Sequence, residues 1–329
     1  MSLRILFIGG TGLISSASSA LALSRGHDVT LLNRGSTPVP PELAGAEQLT
    51  GDTEDAASLR SAVGSREFDV VANFRAYRPE QVAADIELFG GRTGQYVFIS
   101  SASAYQKPVE HLPITESTPL TNPYWQYSRD KIAGEQLLVD AYREHGFPAT
   151  IVRPSHTYDH RSVPIFGGWT AIERMRAGKP VIVHGDGTSL WHLTHTRDFA
   201  VGFVGLLGNR RTRGEAVHIT GDEALTWNQI TQILARAAGA DDPELVHVAS
   251  DAIARELPDQ GPGLIGDKAH SVLFDNSKVK ALVPEFSATT RYWEGAQEMI
   301  AWHDADASRK KTDADLDAAM ERIIAKYGS

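Results

Sequence analysis

The sequence predicts an α/β protein built on a doubly wound parallel sheet, with a smaller and less regular lobe at its C-terminal end. Up to about residue 155, short β-branched runs alternate with helical stretches, which is the rhythm of a parallel sheet. Each run is almost continuously apolar, as expected of strands covered by helices on both faces. The runs span residues 5–8, 29–32, 70–74, 96–100 and 150–153.

The second half of the chain has a looser pattern. Glycine-rich turns at 167–168 and 185–187 and a loop at 258–266 interrupt its strand and helix signals, which predicts a smaller second lobe. The polar tail from residue 303 carries apolar residues at helical spacing, so we expect a C-terminal helix that packs one face against the rest of the chain. These residues are Leu316, Met320, Ile323, Ile324 and Tyr327.

The composition excludes several classes of function. The chain has 329 residues, 42% of them hydrophobic, which is enough to fill a core. A formal net charge of −9 repels a phosphate backbone, so nucleic acid is not an expected partner. The chain has no cysteine, which excludes disulfides and thiolate chemistry, and no metal site is predicted. The apolar stretch at 3–8 is too short for a signal peptide or a membrane span, so we expect a cytoplasmic protein without membrane contact.

A glycine cluster follows the first strand and opens a helix. Gly9, Gly10 and Gly12 let the backbone turn tightly and approach phosphate groups, while free N–H groups and the helix dipole attract them. We therefore predict that the pyrophosphate of a dinucleotide binds here. Ser15 stands where a third glycine is frequent, a tolerable departure for the packing of helix on strand.

The ends of the next two strands bear on the rest of the dinucleotide. Asn33 and Arg34 stand where an acidic residue would bind the ribose. Arg34 can hold a 2′-phosphate, which favours NADP, can stack over the adenine, or can be a solvated turn residue. Asp52, followed by Thr53, can accept a hydrogen bond from the adenine amino group or form a plain Asx turn. The sequence therefore leaves both NAD and NADP open.

Tyr127 and Lys131 are predicted to project from one face of a helix. Asn122 and the proline after it look like an N-cap and a first helical residue, which predicts a helix over 124–145. Residues four apart on a helix lie one turn from each other. Because an ammonium and a positive nicotinamide ring favour the phenolate, we expect the pKa of Tyr127 to fall below the usual value of ~10. Tyr127 would then act as a base near neutral pH.

Hydroxyl groups follow the run at 96–100, at the edge of the sheet where ligands of open α/β folds bind. Ser101 is the predicted hydrogen-bond partner of the reacting oxygen. For Ser100 and Ser103, hydrogen bonds within the strand exit are the favoured interpretation.

These motifs occur together in a recognisable order. They are Gly9-Gly10-Thr11-Gly12, the strand end at Ser101, Tyr127-x-x-x-Lys131, Arg153-Pro154, Gly185-Asp186-Gly187 and His195-Thr196-Arg197-Asp198. Over residues 1 to about 300 the chain resembles the extended short-chain dehydrogenase/reductase family, and in particular its NAD-dependent epimerase/dehydratase branch. The resemblance implies a Rossmann domain of residues 1–156 plus about 194–222, a substrate lobe of about 157–193 plus 223–302, a helical tail of 303–329, and a homodimer formed through the long helices.

The resemblance also implies the roles of individual residues. Ser101, Tyr127 and Lys131 are the implied catalytic residues, with one NAD or NADP bound per chain. The stretch 73–76 matches a cofactor-lining stretch of the family. The cofactor-binding residues are then Gly9, Thr11, Gly12, Leu13, Ile14, Asn33, Arg34, Asp52, Thr53, Phe74, Arg75, Ala76, Ser100, Tyr127, Lys131 and Pro154.

Two departures from the family pattern bear on the substrate. Family members that act on nucleotide-diphosphate sugars have an arginine shortly after the Gly-Asp-Gly loop, where this chain has Trp191. An indole cannot pair with a diphosphate as a guanidinium does, so we expect a substrate with less phosphate and more flat or apolar surface. The stretch 155–159 lacks the usual glycine and asparagine and contains His156 instead. The candidate substrate residues are Ser103, His156, Trp191 and His192, although a histidine beside a cleft is more often structural.

The implied chemistry starts with Tyr127 taking a proton from a secondary alcohol while hydride passes to the nicotinamide. Dehydratases of the family carry Asp-Glu after the serine, where this chain has Ala102-Ser103. We therefore expect an epimerase of a sugar-like or nucleoside-like hydroxylated small molecule. An NADP-linked ketone reductase is the alternative. The turn at 33–35 also resembles that of chloroplast stem-loop RNA-binding relatives, a third alternative that the acidic charge and the intact Tyr/Lys pair disfavour.

Overall fold

The computed structural model describes residues 2–36 and 38–328, and in them seven strands form one parallel sheet. Five further strands form smaller sheets. All twelve strands of the described residues are β1 (Arg4–Ile8), β2 (Asp28–Asn33), β3 (Glu47–Thr50), β4 (Val70–Asn73), β5 (Tyr96–Ile99), β6 (Ala149–Pro154), β7 (His156–Tyr158), β8 (Val181–His184), β9 (Leu190–His195), β10 (Ala216–Ile219), β11 (Ala224–Thr226) and β12 (Leu245–Val248). The order in the large sheet is β3-β2-β1-β4-β5-β6-β10. The strand order reverses beside β1, so the predicted doubly wound parallel sheet is confirmed.

Helices cover both faces of this sheet. The helices of the described residues are α1 (Leu13–Ser24), α2 (Ala56–Val63), α3 (Pro79–Phe89), α4 (Gln126–His145), α5 (Gly168–Arg176), α6 (Thr196–Leu206), α7 (Trp227–Ala237), α8 (Ser250–Glu256), α9 (Gly261–Gly263), α10 (Ser277–Leu282), α11 (Tyr292–Asp304) and α12 (Ala314–Tyr327). Phe7 of β1 packs with Phe203 of α6 on one face, while Leu6 lies in a core with Leu138 of α4 on the other. Successive residues of one buried strand thus serve two cores, which explains the continuous apolar runs.

The C-terminal lobe contains smaller sheets and its own core. Strands β7, β9 and β11 form one sheet, and β8 pairs with β12 in another. Helix α12 buries Met320 and Ile323 in a cluster with Ile182 of β8 and Ile253 of α8. The remaining apolar residues that predicted this helix, Leu316, Ile324 and Tyr327, pack around the same cluster.

One segment of the predicted lobe range 223–302 packs elsewhere. Val279, Val283 and Phe286, on α10 and just after it, belong to the core of the large sheet together with Phe203. Val283 meets α6 at Gly205, where a Cβ would lie 2.3 Å from a Val283 methyl group. The chain therefore crosses back to the sheet before α11.

The helix that carries Tyr127 begins later than predicted, at Gln126, with Trp125 as its N-cap residue. The Asn122 side chain accepts hydrogen bonds from the N–H groups of Tyr124 and Trp125 at 3.1 and 3.2 Å. It also donates to the carbonyl oxygens of Ser103 and Gly266 at 2.9 and 2.7 Å. Asn122 therefore forms a capped turn that ties three segments together, and the helix starts only after that turn.

Two searches of the described residues gave no candidates. None of the helices in these ranges has the length and apolar character needed to cross a membrane. No group of three or more His, Asp or Glu side chains in the described part of the chain is arranged to hold a metal ion.

Candidate active site

Gly9 and Gly12 shape the turn that follows β1. Gly9 has φ of +79°, a conformation that favours glycine, and a Cβ there would lie 2.3 Å from Cγ of Arg75. Gly12 is the N-cap residue of α1, which begins at Leu13. The first N–H groups of a helix have no partner within it, so those of Leu13 and Ile14 are available to a ligand. The turn therefore offers an anion both N–H groups and the positive end of the helix dipole.

Ser15, at the position of the third glycine, fastens this turn. Its hydroxyl donates to the carbonyl oxygen of Gly9 at 2.6 Å and accepts from the N–H of Gly12 at 2.8 Å. The residue is fully buried between helix and turn. Ser15 thus fixes the shape of the turn, and in doing so it takes up the Gly12 N–H that a phosphate would otherwise reach.

Asn33 and Arg34 line a cavity of about 210 Å³ beside the glycine turn, here called the loop cavity. The Oδ1 of Asn33 accepts from the Thr11 hydroxyl at 3.3 Å, while its Nδ2 is buried with no hydrogen-bond partner among the described residues. A buried donor left unpaired beside the glycine turn is suited to a ligand oxygen. Arg75 also lines this cavity, and no acidic side chain of the described residues does, so its charge favours an anionic ligand.

Asp52 forms an Asx turn, one of its two predicted roles, and the contact with adenine stays a prediction. Its Oδ1 accepts the N–H of Glu54 at 3.0 Å, and its own N–H donates to the Ser58 hydroxyl at 2.9 Å. Thr53 lines the loop cavity. Asp52 therefore serves the turn that carries Thr53 to the cavity edge.

The carboxyl ends of β4, β5 and β6 and the start of α4 enclose a cavity of about 350 Å³, here called the reaction cavity. Most of the residues predicted for the nicotinamide end and the substrate line it together. They are Ile14, Phe74, Ser100, Ser101, Ser103, Tyr127, Lys131, Pro154, His156 and Trp191. Side chains separated by up to 177 positions along the sequence numbering, from 14 to 191, thus meet at one edge of the sheet.

Tyr127 is largely enclosed in this cavity, between the rings of Trp125 and Tyr77 at 4.9 and 6.5 Å between ring centres. Burial raises the pKa of Tyr127 to about 12, although an interaction with the Ser101 hydroxyl lowers it. The predicted fall of this pKa is therefore wrong for the protein by itself. Burial disfavours the phenolate more than the surroundings stabilise it.

The surroundings of Lys131 explain why its charge does not offset the effect of burial on the pKa of Tyr127. Its Nζ donates to the carbonyl oxygens of Ala76 and Ile99 at 2.6 and 2.8 Å, and it lies 5.6 Å from the centre of the Tyr127 ring. The side chain is 2% exposed, and burial lowers the pKa of Lys131 to about 7, against a smaller opposing effect of Glu135. The amine is thus held in place by the loop after β4 and the end of β5, one turn of helix from the phenol. Ala76 was predicted to bind the cofactor; in the structure its carbonyl oxygen accepts the hydrogen bond from Lys131.

A chain of hydroxyl groups orients Ser101. Ser128, fully buried on α4, donates to the Ser103 hydroxyl at 2.8 Å. The Ser103 and Ser101 hydroxyls are 2.8 Å apart, and the Ser103 N–H donates to the Ser101 hydroxyl at 3.1 Å. If Ser128 donates to Ser103 and Ser103 donates to Ser101, the hydroxyl proton of Ser101 is free to point into the cavity. Sequence reasoning missed Ser128, whose only signal is that it adjoins Tyr127.

Ser100 has a different role from Ser101. Its hydroxyl donates to the Glu135 carboxylate, which also pairs with the guanidinium of Arg153 through Nε at 3.0 Å. Glu135 and Arg153 are both buried, and each satisfies the charge of the other. The Arg153-Pro154 motif therefore fastens α4 to β6, and Pro154 itself lines the reaction cavity.

The two neighbouring candidates on β9 separate. Trp191 lines the reaction cavity and is 3% exposed. His192 is buried elsewhere: its Nδ1 shares a hydrogen bond with the carbonyl oxygen of Gly221 at 2.7 Å, and its ring packs against Phe274. Successive side chains of a strand point to opposite faces, so the structure brings only Trp191 to the cavity.

His156 does line the reaction cavity, where burial lowers its pKa to about 3 and so keeps the ring neutral. A neutral imidazole offers one donor and one acceptor to a ligand. The position thus suits recognition of hydroxyl groups more than of charge.

Several residues of the reaction cavity were missed by sequence reasoning. Asp267 and Lys268 come from a turn of π-helix, Leu264–Lys268, that packs against the start of α4. Asp267 lies 3.8 Å from the ammonium of Lys107, which is 2% exposed, and burial raises the pKa of this carboxyl while Lys107 lowers it. No local pattern identifies these residues, because the loop that holds them joins the cavity only in the folded chain.

A model of one protein family matches residues 5–220, and its description is NAD dependent epimerase/dehydratase family. A chloroplast stem-loop binding protein of 41 kDa from Arabidopsis thaliana is 29% identical over 74% of this chain and 65% of its own length, so the match spans just under two thirds of that relative. A 2′-dehydrokanamycin reductase from Streptomyces kanamyceticus is 27% identical over 99% of this chain and 91% of its own. The structure of UDP-glucose 4-epimerase from Bifidobacterium longum in complex with NAD+ and UDP shares the fold, with a TM-score of 0.74 and 20% identity over 93% of this chain and 99% of that one.

Proposed function

Because this chain belongs to the NAD-dependent epimerase/dehydratase family, we propose that it inverts a secondary alcohol on a sugar-like ring through a transient ketone, as an NAD(P)-dependent epimerase. The observation that carries the proposal is the convergence of Ser101, Tyr127 and Lys131 in one cavity beside the glycine turn. A phenol and a hydroxyl aimed at the same space, with an amine one helical turn away, are suited to moving a proton on and off an alcohol oxygen.

The residues around the two cavities fit a dinucleotide. The glycine turn, the unpaired Nδ2 of Asn33 and the guanidinium of Arg34 would hold its pyrophosphate and ribose. Phe74 and Pro154 line the reaction cavity and would flank the nicotinamide end. When bound, the nicotinamide supplies the hydride chemistry at the substrate carbon.

The proton chemistry belongs to the chain. Tyr127 takes the proton of the substrate hydroxyl as the alcohol becomes a ketone, and returns it when the ketone is reduced. Ser101 donates a hydrogen bond to the same oxygen, since its own hydroxyl accepts from Ser103. Burial is the largest of the effects that bring the pKa of Tyr127 to about 12, so the phenolate needs positive charge nearby. Lys131 and the oxidised nicotinamide ring are the proposed sources of that charge.

The substrate proposal follows from the walls of the reaction cavity. The aromatic side chains of Trp125 and Trp191 offer flat surfaces to the apolar face of a sugar ring, and His156 and Asp267 offer partners to hydroxyl groups. None of the described residues that line this cavity is an arginine. We therefore propose a polyhydroxylated ring that is not carried on a diphosphate. Dehydration is not proposed, because neither Ala102 nor Ser103 can act as the additional acid.

A ketone reductase is the second candidate, and Arg34 is the observation that favours it. The loop cavity contains Arg34 and Arg75 and no acidic side chain of the described residues, which suits the 2′-phosphate of NADP. A relative that matches 99% of this chain is named as a reductase of 2′-dehydrokanamycin. A reductase exchanges its dinucleotide in every cycle, whereas an epimerase retains it.

The nucleotide content of freshly purified protein tests these proposals. For an epimerase we expect stoichiometric NAD that survives gel filtration, with substrate isomers interconverted and no net change in the absorbance of reduced nicotinamide. Empty protein that binds NADPH and consumes it with a ketone would favour the reductase. Protein that binds neither dinucleotide but retains RNA in a salt-sensitive way would overturn both enzymatic proposals.

A further inference from the structure

A second cavity of about 520 Å³ adjoins the reaction cavity and is here called the side chamber. The two share three lining residues, Trp125, His156 and Lys268, which form the boundary between them. Because both spaces touch the same three side chains, they lie side by side, and a ligand that passes between these side chains would occupy both. Together they suit a ligand larger than a single sugar ring.

The walls of the side chamber are mainly apolar. They include Val163, Ile165, Phe166, Trp227, Leu264 and Leu316. The helix α12 thus contributes to the chamber through Leu316, one of the residues that predicted this helix. Walls of this kind favour an apolar ligand group, because both apolar surfaces are removed from water on binding.

The few polar groups of the side chamber offer little positive charge to bind a phosphate. His184 and His156 are neutral, because burial lowers their pKa values to about 4 and about 3. Asp259 is exposed at the rim, and its negative charge opposes a diphosphate. Lys268 supplies one positive charge at the boundary, and none of the described residues lining the chamber is an arginine. A diphosphate would therefore lose its hydration without adequate replacement.

Gly263 lines the side chamber next to two of the three boundary side chains. It adopts an ordinary helical conformation, with φ of −71° and ψ of −27°, so a side chain is compatible with its backbone. A Cβ there would lie 3.7 Å from Nζ of Lys268 and 4.0 Å from the Trp125 ring. A larger side chain at Gly263 would therefore fill the part of the side chamber beside Trp125 and Lys268 without forcing the backbone.

We propose that the substrate has two parts: a sugar-like ring that reacts in the reaction cavity, and an uncharged aromatic or aliphatic group, joined to it through an ether oxygen, that occupies the side chamber. This inference rests on the proposed function for the identity of the reacting ring. At the boundary, the ammonium of Lys268 donates to the linking oxygen, and His156 pairs with a neighbouring hydroxyl.

Paired glycosides test this proposal by calorimetric binding in the presence of saturating dinucleotide. The probes are phenyl and methyl β-D-glucopyranoside, the corresponding galactopyranosides, and UDP-glucose. Burying a phenyl group should lower the Kd of at least one phenyl glycoside about ten-fold or more relative to its methyl partner. Gly263→Leu should abolish that preference and leave the Kd of the methyl glycoside within about two-fold, since the methyl group does not reach the chamber.

Two further variants make the result independent of one substitution. Leu316→Trp fills the chamber from α12, a different element, and should have the same effect as Gly263→Leu. Gly45→Leu is the matched control, because Gly45 is exposed and its nearest neighbour on the Cβ side is a Leu23 methyl group at 3.9 Å. Thermal unfolding of each variant checks that it is folded.

The outcomes separate this inference from the proposed function. Equal binding of phenyl and methyl glycosides, tighter binding of UDP-glucose, no binding of any probe, or a preference unchanged in both chamber-filling variants would each overturn the inference. A preference that both variants abolish, with no turnover of any glycoside, would support the side chamber and count against the proposed function.

Discussion

The ammonium of Lys131 lies 5.6 Å from the centre of the Tyr127 ring, and it donates its hydrogen bonds to the carbonyl oxygens of Ala76 and Ile99 rather than to the phenol. Those carbonyls follow β4 and end β5, so the amine is anchored to two neighbouring strands of the sheet. The effect of Lys131 on Tyr127 is therefore electrostatic and acts through space. Burial of both groups works against it, which makes the pair sensitive to any added charge.

Tyr127→Phe should remove most turnover while leaving the fold and dinucleotide binding close to normal. The substitution deletes the proton donor and acceptor but keeps the ring packed against Trp125. We expect kcat to fall by about 10²–10⁴-fold, the usual contribution of a general acid–base group. Tyr124→Phe is the matched control, because this tyrosine is 42% exposed and lies just before the helix. Wild-type rates in Tyr127→Phe would refute the assigned role.

Ser103→Ala should lower kcat without weakening dinucleotide binding, because it removes the middle member of the hydroxyl chain that orients Ser101. Losing one such hydrogen bond should cost about 3–10-fold in rate. Ser117→Ala, on an exposed hydroxyl pair with Thr115, is the control. Steady-state kinetics of the three proteins at matched dinucleotide saturation provide the measurement. An unchanged kcat in Ser103→Ala would show that the orientation of the Ser101 hydroxyl does not depend on Ser103.

The pH dependence of stability should report the buried amine of Lys131 in protein stripped of nucleotide. Its pKa is lowered to about 7 in the folded chain, against the ordinary lysine value of 10.5. Between these values the unfolded chain binds more protons than the folded one, so this group makes stability rise with pH. From about pH 7 to about pH 9, the free energy of unfolding should rise by about 1–2 kcal/mol more in the wild type than in Lys131→Met.

Urea titrations at the two pH values measure that difference. Lys179→Met is the control, since the Lys179 side chain is 50% exposed and should leave the pH dependence unaltered. A wild type and a Lys131→Met variant with parallel pH profiles would mean that Lys131 keeps an ordinary pKa.

Arg34→Ser should distinguish the roles proposed for this arginine. If the guanidinium binds a 2′-phosphate, the Kd for NADPH should rise by about 10–100-fold while that for NADH changes little. If it stacks over the adenine, both values should rise together. Fluorescence titration with both dinucleotides gives the answer, with Arg143→Ser on the exposed side of α4 as the control. A variant that binds both as the wild type does would leave Arg34 as a solvated turn residue.

The parts of the site that were predicted from sequence are those set by local geometry. The glycine turn was identified because a strand, three glycines and a helix follow one another without interruption. Tyr127 and Lys131 were paired because a four-residue spacing places side chains on one helix face wherever the helix lies. The start of that helix was misplaced because Asn122 bonds to Ser103 and Gly266, partners that no local signal reveals.

The alternation of side chains along a strand did not show which of two adjacent candidate residues faces the reaction cavity. Trp191 and His192 were both candidates for the substrate, and the strand period says only that they face opposite sides. The fold decides which side holds the cavity, and it buries His192 against Gly221 and Phe274. Ser128 and Asp267 were overlooked for a related reason, because their importance comes from the partners that they meet.

The sequence by itself determined the parallel sheet, the glycine turn after its first strand and the helical pairing of Tyr127 with Lys131, since each depends on residues close together in the chain. Only the tertiary structure decided the pKa shifts of that pair, the anchoring of the amine by the loop after β4 and the end of β5, and the position of the side chamber next to the reaction cavity. The physical reason is that burial and charge depend on every segment that surrounds a group. The segment that contributes Asp267 and Lys268 to this site lies more than a hundred positions from the tyrosine that it faces.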